Sequence, residues 1–162
     1  MTSSINASPR EAYANDPGRL ARGVVWGMAA TLAMSAIMIL GYTTGIAPMP
    51  EPIPGAIAGK IIKGVLGAEI PQIAVMAVAV ISHFTYGGFW GAIFASLTRK
   101  ATVWKGLALG VFLWLLMDLL VLPFLGWGLF GFAVTSRIAV ATLVLHLIYG
   151  FTLGLLLDRK GK

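Results

Sequence analysis

The 162-residue chain has two histidines. Both stand at one place in a repeated pattern, H-x-x-Y-G-x-x-x-G: His83 with Tyr86, Gly87 and Gly91, and His146 with Tyr149, Gly150 and Gly154. Two imidazoles at matching positions of two helices are what bis-histidine ligation of one haem b requires, and a glycine four residues after each histidine leaves room beside a porphyrin. With Asp118 the pair is also a two-histidine, one-carboxylate set of the kind that holds iron. Two other readings use the same residues. His83, Asp118, His146 and Ser35, joined by Tyr86 and Tyr149, would form a hydrogen-bonded plug that fixes helix register, or they would mark a route for protons or ions, since ionisable groups inside a membrane often do. The chain has no cysteine, which excludes disulfides, thiolate metal sites, iron–sulfur clusters and thioether-linked haem. No G-x-S-x-G elbow, H-E-x-x-H or phosphate-binding loop occurs, so nothing points to hydrolysis.

The elements that must position these groups are membrane spans. Hydrophobic residues make up 58% of the chain and charged residues 11%, against about a quarter charged in an ordinary soluble domain. Apolar runs near the roughly 20 residues needed to cross a bilayer predict four spans, at about 20–45, 71–97, 103–122 and 136–157. Residues 1–19 read as a flexible polar tail and 159–162 as a basic one. The alternating prolines of Pro48–Gly55 forbid a continuous helix. The segment after them puts Ile57, Ile61, Val65 and Leu66 on one face and Lys60 and Lys63 on another, the pattern of a short interfacial helix. Pro123 predicts a kink or an end for the third span, and the aromatic residues Trp127, Phe130 and Phe132 after it suit a membrane–water boundary.

The unit of repetition is a two-helix hairpin. Spans two and four match through the histidine pattern. Spans one and three match more faintly, with Arg22 over Lys105, Gly23 over Gly106, Gly27 over Gly110, Met34 over Met117 and Ser35 over Asp118. Each span thereby owns a pair of glycines four apart: Gly23 and Gly27, Gly87 and Gly91, Gly106 and Gly110, Gly150 and Gly154. Such pairs let helix backbones approach closely, which lipid-solvated helices need because hydrophobicity gives them little reason to associate. The same pairs would serve contacts between chains equally well.

Counting a rise of about 1.5 Å per residue from the basic end of each span places Ser35, His83, Asp118 and His146 at a similar depth, roughly 20–24 Å in. A shared polar stratum is therefore expected, with Asp118 facing inward and a histidine as its partner. Nine of the twelve Lys and Arg residues fall on the side of the two termini, against Lys60, Lys63 and Arg137 on the other. By the positive-inside rule both termini are cytoplasmic. The net charge of +6 then belongs to a surface facing anionic lipid, and no nucleic-acid role is expected.

The segment RGVVWGMAATLAMSAIMIL, the paired H-x-x-Y-G-x-x-x-G motifs and the LPFLGWGLFG stretch together resemble a bacterial family of small four-span membrane proteins of unknown function, over about Leu20 to Leu157. The resemblance implies a bacterial cytoplasmic-membrane protein and carries no activity with it. The expectation is thus an all-α, integral membrane four-helix bundle built from a duplicated hairpin, with a short interfacial helix after the first span. It would act as a non-catalytic accessory or interaction subunit beside a membrane-protein partner or further copies of itself. The alternatives are a haem b or metal protein using His83 and His146, and a component of a proton- or ion-coupled transporter.

Overall fold

The computed structural model describes residues 17–67 and 70–159. Five helices carry the fold: α1 (Pro17–Thr43), α2 (Ile53–Leu66), α3 (Gln72–Leu97), α4 (Val103–Leu125) and α5 (Arg137–Arg159). All but α2 are long and apolar enough to cross a membrane; the protein is a multi-pass membrane protein. Most of the tail expected over 1–19, and Lys160–Lys162 of the basic tail, lie outside the described residues. Pro17, Gly18 and Arg19 are helical instead, because proline fits a first helical turn whose N–H groups have no partner anyway.

α1 packs along α3 and α4 along α5, so each hairpin is closed upon itself, and α1 also packs along α5. Glycine makes both hairpin seams. A Cβ on Gly23 would stand 2.6 Å from the carbonyl oxygen of Gly91, and one on Gly27 would run into the carbonyl of Gly87. In the second hairpin Gly106 meets Gly150 in the same way, and a Cβ on Gly110 would stand 2.5 Å from the carbonyl oxygen of His146. The registers are not the same, however. Gly23 faces Gly91, whereas its counterpart Gly106 faces Gly150, the counterpart of Gly87, so one seam has slipped by a helical turn relative to the other.

Arg19 fastens the basic end of the first hairpin. Its guanidinium donates from Nε to the carbonyl of Ala95 and from Nη2 to that of Thr98, satisfying carbonyls that the last turn of α3 leaves without intrahelical donors. In the second hairpin Thr102 caps α4, its Oγ1 accepting from the amide of Lys105 at 3.3 Å.

Pro123 neither ends α4 nor simply kinks it. The helix widens into a π-turn over Met117–Val121, where the Leu122 amide reaches back five residues to the Met117 carbonyl, and then runs on to Leu125. Proline lacks an amide and crowds the carbonyl four residues before it, and a π-turn immediately ahead is one way a helix absorbs that conflict. The result turns Asp118 and Leu122 together into the interior, both with no exposed surface. The loop after α4 folds back on the bundle, its Gly126, Gly128 and Gly131 all at positive φ, and Phe130 packs on Trp114 with ring centroids 5.5 Å apart.

α2 begins inside the proline-rich stretch and lies across the end of the bundle opposite Arg19 and Lys105, against α3 and the last turn of α4. It turns Ile53, Ala56 and Ala58 inward. The expected apolar face is only partly used that way, because Ile61, Val65 and Leu66 are exposed and suit the bilayer boundary.

Alanine at Gly27 or Gly150 pushes a methyl into backbone, which cannot yield as a side-chain tip can. Each should cost about 1–3 kcal/mol and lower the thermal midpoint in detergent. Gly64 has open space around it, and alanine there should be neutral or stabilising by up to about 1 kcal/mol. Equal effects at all three positions would deny the glycines their part in the seams.

Candidate functional site

A hairpin duplication with an axis along the membrane normal requires two equivalent contacts between hairpins, α1 against α5 and α4 against α3. The first exists. At the second the helices stand apart, and the gap is a partly open cavity of about 390 Å³ lined by all four spans and α2. One substitution between the repeats accounts for part of the difference. Leu153 of α5, fully buried, corresponds to Trp90 of α3, whose larger ring meets Phe112 of α4 edge-on at 5.7 Å and holds the two helices apart. Trp90 bounds the cavity toward the basic end, and Ile53, Pro54 and Ile57 of α2 bound it at the other.

His83, His146, Tyr86 and Tyr149 all line this cavity. Their surroundings differ despite the repeat. His146 is buried, with Nδ1 2.7 Å from the carbonyl oxygen of Thr142 one turn earlier in α5. A carbonyl only accepts, so Nδ1 carries a proton, and in the neutral ring Nε2 is then a lone-pair acceptor. His83 is half-buried, and its Nε2 has no hydrogen-bond partner. Tyr149 is buried and donates to the Gly87 carbonyl at 2.6 Å, tying α5 to α3 across the bundle. Tyr86 stays exposed, its ring edge-on to Trp90 at 6.1 Å. The Trp90 indole nitrogen is buried with the Tyr86 side chain beside it and makes no hydrogen bond of good geometry.

The rest of the expected polar stratum lies elsewhere. Asp118 does not pair with a histidine. It sits in the α4–α5 seam against Thr142, whose Oγ1 lies 3.0 Å from Oδ2 and 3.2 Å from Oδ1. Because Thr142 precedes His146 by four residues, Asp118 stands about a turn farther from the basic end than the histidine. The π-turn at Met117–Val121 is what aims it there. Ser35 is buried with its Oγ unpartnered and is not among the residues lining the cavity. Among the described residues no three His, Asp or Glu side chains come together as metal ligands, which removes the proposed metal set of Asp118 with His83 and His146.

The residues absent from the sequence reading are threonines and a tryptophan. Thr31, buried on α1 and bonded to the Gly27 carbonyl at 2.9 Å, lies directly over Gly87. Thr142 anchors both Asp118 and His146. Both are threonines inside apolar spans, one turn from a motif residue, and that spacing was the available signal.

A family model, that of a family of unknown function termed DUF6789, matches residues 18–162. The chain belongs to that family. No curated protein and no solved structure gives a significant match. Membership brings no activity, so what this site can do rests on its geometry.

The Asp118–Thr142 pair is testable without knowing the function. Asparagine at 118 can donate to the threonine oxygen while keeping the side-chain volume, so Asp118→Asn should stay within about 1 kcal/mol of the parent. Thr142→Val strands a buried carboxyl and should cost about 1–3 kcal/mol. Thermal denaturation in detergent gives the order, and a Thr142→Val protein as stable as the parent would mean that the pair contributes nothing.

Proposed function

We propose that this protein is a non-catalytic accessory or interaction subunit of a larger membrane assembly. It sits in the bacterial cytoplasmic membrane with both termini in the cytoplasm, and the α3–α4 side is its receiving face. The orientation follows from the bias of Lys and Arg toward one end of the spans. The observation that carries the reading is the unequal closure of the bundle. Each hairpin spends its glycines on its own seam, so those motifs are not left over for contacts between chains. The α3–α4 side is held open, and beside the opening α3 presents Val78, Ile81 and Phe89 outward along a shallow groove that shares Ser82 and Tyr86 with the cavity. A transport role draws less support, since Asp118 is turned away from the cavity into a packed seam.

A photo-crosslinking residue placed at Phe89 or Leu120, on either side of the opening, should capture a membrane protein or a second copy in intact cells. The same residue at Val25, on the outer face of α1, should give lipid adducts alone. Lipid adducts alone from all three positions would defeat the interaction reading.

One observation favours a second reading, haem b. His83 and His146 line a single cavity, and both Nε2 atoms lack a protein partner that would compete with iron. A Soret band with α and β bands sharpened by dithionite, abolished by His146→Ala, is the expected spectrum of the purified protein on this reading. A colourless protein removes it.

A further inference from the structure

We propose that the cavity between α3 and α4 binds a neutral ring lipid of the quinone and quinol class, with its oxygens held between His83 and Trp90 on one wall and His146 on another. The proposal does not depend on the accessory role, and either can fail without the other.

The walls define the ligand. No Lys, Arg, Asp or Glu lines the cavity among the described residues, so the head group is uncharged. A fatty acid, a phospholipid head or a haem propionate would be buried there without a counter-ion, at a cost of several kcal/mol. The lining is mostly apolar, but the rings of His83, Trp90 and His146 belong to it, and Nε2 of His83 has no hydrogen-bond partner. The Trp90 indole N–H can only donate, and a ligand oxygen reaches it by displacing the Tyr86 side chain that packs beside it. His146, with its proton committed to Thr142 at Nδ1, can only accept at Nε2 and calls for a hydroxyl donor. His83 Nε2 completes the set on the α3 wall as donor or acceptor, according to its tautomer. These demands come from two helices, and a ring with an oxygen at each end meets them better than an alcohol with a single hydroxyl. A buried polar group without a partner is costly where no water reaches it, which is a reason for a ligand to supply the missing bonds.

The remaining features agree. A volume of about 390 Å³ lies within the roughly 300–1,000 Å³ range of small-molecule sites. The aromatic rings of Tyr86 and Trp90 belong to the lining. Tyr86 and Leu120, on opposite sides of the opening, are both exposed toward the bilayer, so a lipid-dissolved ligand enters sideways with its tail left among the acyl chains.

The test uses the full-length protein in mild detergent, titrated with a decyl-tailed benzoquinol, its quinone and its dimethyl ether, and read by quenching of tryptophan fluorescence. Saturable one-to-one binding of the quinol is expected. The dimethyl ether and the quinone should each bind at least ten-fold more weakly, because neither can donate to His146. His146→Phe should erase that difference between quinol and ether. Leu120→Trp, which narrows the mouth from an exposed position, should weaken all three ligands at least ten-fold at an unchanged thermal midpoint, so its effect is separable from misfolding. Organic extraction of the protein as purified from bacterial membranes should yield a quinone. Equal affinity for quinol and ether, binding indifferent to both substitutions, or recovery of fatty acid, phospholipid or haem in place of quinone would each overturn the assignment.

Discussion

Close approach of helix backbones at glycine is the interaction on which this structure rests. In a bilayer the hydrophobic effect does not drive one apolar helix onto another, because lipid tails cover a leucine as well as a neighbouring leucine does. What remains is contact between matched surfaces and the few polar bonds that lipid cannot supply. Gly23, Gly27, Gly87 and Gly91 in one hairpin, and Gly106, Gly110, Gly150 and Gly154 in the other, remove the side chains that would hold the helices apart. In each hairpin a Cβ on one helix would strike the carbonyls of the next. The polar bonds are then laid over these seams: Thr31 above Gly87, Tyr149 onto the Gly87 carbonyl, and Thr142 between Asp118 and the ring of His146.

Given two sealed hairpins, the shape of the protein is decided by how they meet. Duplication offers two equivalent contacts between them, and identical sequences would fill both or neither. The copies have diverged where it counts. Leu153 is fully buried while Trp90 is only partly so, Tyr149 reaches a carbonyl while Tyr86 remains outside, and the seams differ by one helical turn. The α1–α5 contact closes and the α3–α4 contact stays open, so the cavity is a product of broken symmetry and not an ornament added to a symmetric bundle.

Much of this was legible in the sequence. The spans, the hairpin repeat and the glycine faces follow from composition and from spacings of four, which are local properties that survive translation into a helix. The joint facing of His83 and His146 was also accessible, since equal depth on equivalent helices brings two side chains to one level. The fate of Asp118 was not. Depth counting assumes a uniform rise and rotation, and the π-turn ahead of Pro123 alters both within a single turn, delivering the carboxyl to Thr142 instead of to an imidazole. The open side was hidden for a related reason: repeats detected by identity draw attention to what they share, whereas the gap depends on the position where one has leucine and the other tryptophan.

The same divergence explains why two identical motifs have unequal chemistry. In α5 the motif is satisfied by the protein, because the Thr142 carbonyl accepts from Nδ1 of His146 and the Gly87 carbonyl of α3 accepts from the hydroxyl of Tyr149. In α3 the position equivalent to Thr142 is Ala79, whose carbonyl takes the hydroxyl of Ser82 at 3.2 Å, and Tyr86 has swung to the rim. The α3 copy forms one side of the opening, and Nε2 of its His83 is left without a bond. A hairpin that sealed itself completely would be the more stable solution for a protein whose only task was to span the membrane. Leaving polar atoms unpaired along one wall, in a medium with no water to compensate them, is a cost that makes sense where something other than this chain completes the wall.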